Sequence, residues 1–103
     1  MLLVIDAGNT TTEFGLFDKD KLKTSFRCIT KQKRTSDELV IMLKDFLSIA
    51  QLDFSDIEDV IISSVVPDIN YSLVSMFIKY LKITPLMVEP GTKTGIFIHT
   101  DNP

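Results

Sequence analysis

At 103 residues the chain has room for one small domain with a single modest core. Its 45% apolar and 24% charged residues suit an ordinary globular protein, and a net charge of −3 argues against a surface built to coat nucleic acid or an anionic membrane. The lone cysteine, Cys28, cannot close an internal disulfide, and no stretch approaches the ~20 apolar residues of a membrane helix. The apolar run Leu2–Ile5 has no basic flank and meets Asp6 at once, unlike a secretory signal, so the expectation is a cytoplasmic protein.

Leu2-Leu3-Val4-Ile5 is a short continuous apolar run ended by Asp6 and Gly8, the pattern of a strand covered on both faces and therefore central in its sheet. Thr11 to Phe17 is rich in β-branched and aromatic residues and predicts a second strand, with Asp18-Lys19-Asp20 as the turn that follows. From Lys21 to Cys28 the pattern alternates, placing Leu22, Thr24, Phe26 and Cys28 on one face of a strand near an edge. Thr30 to Arg34 is a basic connector. Thr35 with Glu38 three residues later forms a capping-box signature, and Leu39, Met42, Leu43, Phe46 and Ala50 recur at helical spacing behind it. Val60 to Val66 predicts a buried strand closed by Pro67. A second helix follows with Leu73, Val74, Phe77, Ile78 and Leu81 on one stripe. Pro85 to Glu89 reads as a fifth short strand, Pro90-Gly91 as a turn and Ile96 to Ile98 as a further strand. The order β-β-β-α-β-α-β gives an α/β fold with a mixed sheet and helices packed on it. The ribonuclease-H-like domain of actin, sugar kinases and acetate kinases has this order.

The chemistry concentrates in the connection after the first strand. Asp6-Ala7-Gly8-Asn9-Thr10-Thr11-Thr12-Glu13 sets an acid, a glycine and a run of small hydroxyl residues between two strands. Phosphate binding needs several donors on a tight backbone curve. Gly8 permits unusual dihedrals and close approach, while Asn9 and Thr10 to Thr12 add donors without bulk. Asp6 is a hard oxygen group suited to a magnesium ion, directly or through a bound water. No lysine follows the glycine and no helix starts there, so this is not a P-loop. Read alone, Gly8-Asn9 would serve as an ordinary hairpin turn; the acid before it and the threonines after it favour a phosphate loop.

Asp6-Ala7-Gly8-Asn9-Thr10 resembles the D-x-G-N-T phosphate loop of type III pantothenate kinases. Ser63-Ser64-Val65-Val66-Pro67 is similar to that family's S-S-V-V-P strand end, Pro90-Gly91-Thr92-Lys93-Thr94-Gly95 to its P-G-x-K-T-G turn, and Asp101-Asn102-Pro103 to the D-N-P that leads into its G-A-D-R signature. The motifs arrive in the family's order and span the chain. The resemblance implies ATP-dependent phosphorylation of pantothenate in coenzyme A biosynthesis, with residues Asp6 to Glu13 cradling the ATP phosphates and Asp6 turned toward Mg²⁺. It further implies a monovalent cation (K⁺ or NH₄⁺), a homodimer, and residues 1–103 as the N-terminal ATPase-type domain without its second domain. The family's general base is the aspartate of G-A-D-R, expected just after Pro103. The isolated chain is therefore expected to give no pantothenate-dependent ADP release above a no-enzyme control. Thr100 stands where the family commonly has a tyrosine lining the pantothenate pocket, which keeps a hydroxyl and loses an aromatic wall.

The remaining candidates carry less. His99 has no neighbouring ligand residue and reads as a strand histidine. Cys28 reads as a small buried hydrophobe, Lys31, Lys33 and Arg34 as a solvated connector, and Met42, Met76 and Met87 as core fillers. Lys93 lies in the turn that the family places near its substrate. A ribonuclease-H-like nuclease would also carry an acid on its first strand, yet needs further carboxylates converging on two metals and a basic surface; neither Asp68 nor Asp101 is placed to converge. A non-catalytic nucleotide-binding regulatory module is the other alternative.

Overall fold

The computed structural model describes residues 1–89. A five-stranded sheet has the order β3-β2-β1-β4-β5, built from β1 (Leu2–Ala7), β2 (Thr11–Asp18), β3 (Lys21–Ile29), β4 (Asp59–Ser64) and β5 (Leu86–Val88). β1, β2 and β3 form an antiparallel meander, whereas β4 runs parallel to β1 and β5 parallel to β4. Helix α1 (Ser36–Ile49) connects β3 to β4, and α2 (Pro67–Met76) with one π-helical turn (Phe77–Leu81) connects β4 to β5. The expected element order and the central place of β1 are both present. No helix among the described residues is long and apolar enough to cross a membrane.

Register explains the core. Leu3, Ile5 and Ala7 stand beside Leu16, Phe14 and Thr12 of β2 and beside Val60, Ile62 and Ser64 of β4. That face packs on Leu39, Val40, Leu43 and Leu47 of α1 and on Ile69, Leu73 and Met76 of α2. On the opposite face Val4 and Phe17 are buried together with Leu2 packed against them, so β1 is apolar on both sides. Phe46 of α1 stacks on Phe26 of β3 with centroids 4.7 Å apart and tilts against Phe14 at 5.8 Å, which fixes how the helix sits on the antiparallel half of the sheet.

Helix α1 starts where its sequence says. Thr35 accepts from the Glu38 amide at 3.1 Å, and the Glu38 carboxylate accepts from the Thr35 amide at 2.9 Å, satisfying two orphan donors at once. Its first turn is tied to the far end of the second helical segment, because Asp37 accepts from Lys79 at 3.2 Å and from the Tyr80 hydroxyl.

Several residues sit differently from expectation. Leu22 does not share a face with Thr24, Phe26 and Cys28: a register shift pairs Leu16 with Thr24 but Phe17 with Leu22, and this bulge turns Leu22 to the other side, where it is exposed. β4 ends at Ser64 rather than Val66, since Val66 is already the N-cap of α2 and Pro67 its first residue. Ile78 is exposed instead of joining the apolar stripe, whereas Met76 is fully buried, as expected of a core filler. Met87 lies on the three-residue edge strand and is exposed instead of filling the core. In α1 the periodic reading passed over Val40 and Leu47, both buried. The expected turn at Pro90-Gly91 and strand at Ile96–Ile98 lie outside the described residues.

Leu43 is fully buried and Ile41, on the outer side of α1, is 60% exposed. Leu43→Ala is expected to lower unfolding free energy by about 2–5 kcal/mol, through lost transfer energy and a residual cavity. Ile41→Ala should stay within about 0.5 kcal/mol. Urea denaturation of both variants checks this packing, and equal losses would contradict it.

Candidate phosphate-binding site

β1 and β4 are parallel, so their carboxyl ends open at the same edge of the sheet. Asp6 is the first polar residue of β1 and is partly exposed there. Its Cα partners are Glu13 on β2 and Ser63 on β4, and Glu13 is in turn opposite Arg27 on β3. A polar row, Arg27–Glu13–Asp6–Ser63, therefore crosses four strands on one face. Two carboxylates directly opposite each other are unfavourable by themselves. The Arg27 guanidinium offsets this by pairing with Glu13 at 3.2 Å.

One residue further on, Ala7 is fully buried between the sheet's buried polar residues, Thr12 and Ser64. Ser64 turns the chain out of β4: its hydroxyl accepts from the Val66 amide at 3.0 Å, and the Val65 amide donates to the Ala7 carbonyl at 3.0 Å. The Ser63–Pro67 segment thus brings the start of α2 to the end of β1.

Between Ala7 and Thr12 the chain reverses. The Gly8 amide donates to the Thr11 carbonyl at 2.9 Å, and Asn9 and Thr10 form the exposed tip. Neither the Asn9 nor the Thr10 amide bonds to another described residue. A Cβ on Gly8 would stand 3.1 Å from the Thr11 carbonyl oxygen, and its φ lies outside the left-handed region. Glycine is needed here for close approach, not for an unusual dihedral as expected from the sequence.

The loop is held from beneath by a residue that sequence reasoning assigned only to the basic connector. The Thr30 hydroxyl donates to the Gly8 carbonyl at 2.7 Å, and the Thr30 amide donates to the Thr10 carbonyl at 2.8 Å. The Thr30 and Thr12 hydroxyl oxygens are 2.7 Å apart. A hydroxyl has one proton, and that of Thr30 is directed at Gly8, so Thr12 donates to Thr30. With its side chain buried and its proton committed, Thr12 braces the loop from inside. The available signal was the β3 alternation, which continues from Phe26 and Cys28 to Thr30 on the inward face.

Of the other candidates, Arg34 is only partly solvated. Its guanidinium folds back to the Ile29 carbonyl at 3.4 Å and the Met42 sulfur at 3.1 Å, bracing the connector. Cys28 is half-buried, and desolvation raises its thiol pKa against the opposing effect of Arg34, which makes it a poor nucleophile. Among the described residues no three His, Cys, Asp or Glu side chains cluster as a self-sufficient metal site. The donors near Asp6 are oxygens, and Glu13 is already paired with Arg27, a set that fits a magnesium ion taking most of its ligands from phosphate and water. Lys93, His99 and Thr100 lie outside the described residues.

Gly8→Ala is expected to push the Thr11 carbonyl away and lengthen the bond that closes the loop, leaving the core untouched. Hydrogen exchange should show faster exchange at the Gly8 amide with unchanged protection at Leu3 to Ile5. Loss of protection throughout β1 would instead assign Gly8 to the core.

Comparison with known proteins follows the same segments. The chain matches the family described as "Type III pantothenate kinase" over residues 2–103. It is 50% identical over 103 residues to the type III pantothenate kinase of Agathobacter rectalis, and 48% identical to those of Geobacillus kaustophilus and Listeria welshimeri. In each case all of this chain aligns with 40% of the relative, so it spans less than half the length of these proteins. Among solved structures, the crystal structure of a ROK hexokinase from Thermus thermophilus is similar with a TM-score of 0.58 at 13% identity, covering 85% of this chain and 34% of that one. That likeness concerns the fold and bears out the ribonuclease-H-like, actin-like class expected from the element order. With a match running from the first strand to the last residue, the chain belongs to the type III pantothenate kinase family.

Proposed function

We propose that this chain is the N-terminal ATPase-type domain of a pantothenate kinase and supplies the site that receives the phosphates of ATP. The reading rests on one observation above all. At the carboxyl end of the central strand, an exposed tip is held in a bend, and its Asn9 and Thr10 amides have no partner among the described residues. Ligands of open α/β sheets bind outside the carboxyl ends of the strands, which is where this bend lies.

In this reading the Asn9 and Thr10 amides, with the side chains of Asn9, Thr10 and Thr11, donate to phosphate oxygens. Gly8 lets the phosphates approach the backbone, while Ala7 and Thr12 anchor the loop in the core. Asp6 would hold Mg²⁺, directly or through water, with Glu13 and Arg27 fixing the charge balance beside it; the ion when bound supplies neutralisation of phosphate charge. Transfer of a phosphoryl group depends mostly on such positioning and on electrostatic stabilisation. Pantothenate as acceptor, a monovalent cation and a homodimer belong to the same proposal through the family alone.

The test is calorimetric titration of the chain with ATP in the presence of Mg²⁺. Saturable binding is expected, weakened about tenfold or more by Asp6→Asn and by removal of Mg²⁺ with a chelator. Duplex DNA should give no saturable heat. Absence of ATP binding, or DNA binding in its place, overturns the reading.

A further inference from the structure

We infer that Thr30, at the end of β3, is a positioning residue for the nucleotide phosphates, because it sets which way the Asn9 amide faces. The inference rests on the reading of the Gly8–Thr12 bend as a phosphate site and adds a residue outside every motif that carried that reading.

The argument is one of peptide planes. In a trans peptide the carbonyl and the following amide point in opposite directions. The Gly8 carbonyl is drawn toward the Thr30 hydroxyl at 2.7 Å, so the Asn9 amide, in the same plane, points away from Thr30. The Thr10 carbonyl is drawn toward the Thr30 amide at 2.8 Å, which pins the far side of the tip to the same residue. Thr30 therefore holds one carbonyl on each side of the Asn9–Thr10 peptide and leaves the Asn9 amide outward as a donor. Thr12 completes the arrangement by donating to the Thr30 oxygen, which keeps the Thr30 proton on Gly8. Thr30 itself touches no phosphate; it acts through the loop.

Thr30→Val keeps the shape and the backbone amide but removes the hydroxyl, releasing the Gly8 carbonyl and leaving Thr12 without an acceptor. Thr30→Ser keeps the hydroxyl. Titration with ATP and Mg²⁺ is expected to give a Kd about tenfold higher for Thr30→Val and within about twofold of the parent for Thr30→Ser. Amide exchange at Val4 and Ile62, in the core strands, should be unchanged in both. A valine variant that retains that core protection and binds ATP as tightly as the parent overturns the inference, as does a serine variant as weak as the valine one. A second arm needs no substitution: saturating ATP should shift the Asn9 amide resonance of the parent chain and slow its exchange. Binding without any change at this amide overturns the role of Thr30 while sparing the phosphate site. Failure of the parent chain to bind ATP overturns the site itself and this inference with it.

Discussion

Burial of β1 on both faces is the constraint from which the rest follows. Leu3, Val4 and Ile5 are each at most 1% exposed, and their side chains alternate between the helix-covered face and the opposite one. A charged group placed among them would lose its hydration without a partner, at a cost of several kcal/mol. Polar chemistry is thereby driven to the carboxyl end of the strand. Asp6 stands at the first position where one face opens, and the chain must then leave the sheet. The parallel neighbour β4 ends at the same level, so its exit through Ser64 and Val66 into α2 meets the loop there. A central strand of this kind delivers one carboxylate and one bend to a single place.

The bend does not order itself. Fixing the backbone of one residue costs about 1–2 kcal/mol, and a net hydrogen bond returns about 0.5–1.5 kcal/mol. Between Gly8 and Thr11 only one backbone bond closes the turn, the Gly8 amide to the Thr11 carbonyl. That leaves the exposed residues Asn9 and Thr10 undercompensated. The bonds from Thr30 to Gly8 and Thr10, together with the hydroxyl contact to Thr12, redress the deficit from the far strand. Strand β3, with its wet outer face, is thus more than an edge for the sheet. It carries the residue that holds the loop still, and the aromatic contact of Phe26 with Phe46 ties that strand to α1.

Much of this was legible in the sequence because the signals were local. The uninterrupted Leu2–Ile5 run implied two-sided burial, and Thr35 with Glu38 marked a helix start that the structure realises as a reciprocal cap. The acid-glycine-hydroxyl run located the loop. What escaped was whatever depended on non-local geometry. The bulge that reverses Leu22 leaves no mark in the alternation of β3. The π turn at Phe77 changes the period in a stretch whose apolar residues fit an α-helix equally well. Thr30 looked like the first residue of a connector because its partners, Gly8 and Thr12, lie about twenty positions earlier. Arg34 has nearer acceptors, Ile29 at the end of β3 and Met42 on α1, but only the fold of the connector turns the guanidinium back onto them.

The charge arithmetic of the loop adds one more step. From Gly8 to Thr12 there is no basic side chain, while Asp6 and Glu13 flank it with carboxylates. Arg27, the guanidinium in the polar row, is engaged by Glu13. A P-loop meets its phosphate with a lysine and the helix that follows it directly; this bend itself offers oriented peptide dipoles and hydroxyls, with the start of α2 brought beside it from another strand. In the proposed site a cation recruited by Asp6 would add neutralisation of triphosphate charge to what the neutral donors supply. In that reading Asp6 would hold the ion, and the Asn9 amide kept outward through Thr30 would set where the phosphates come to rest.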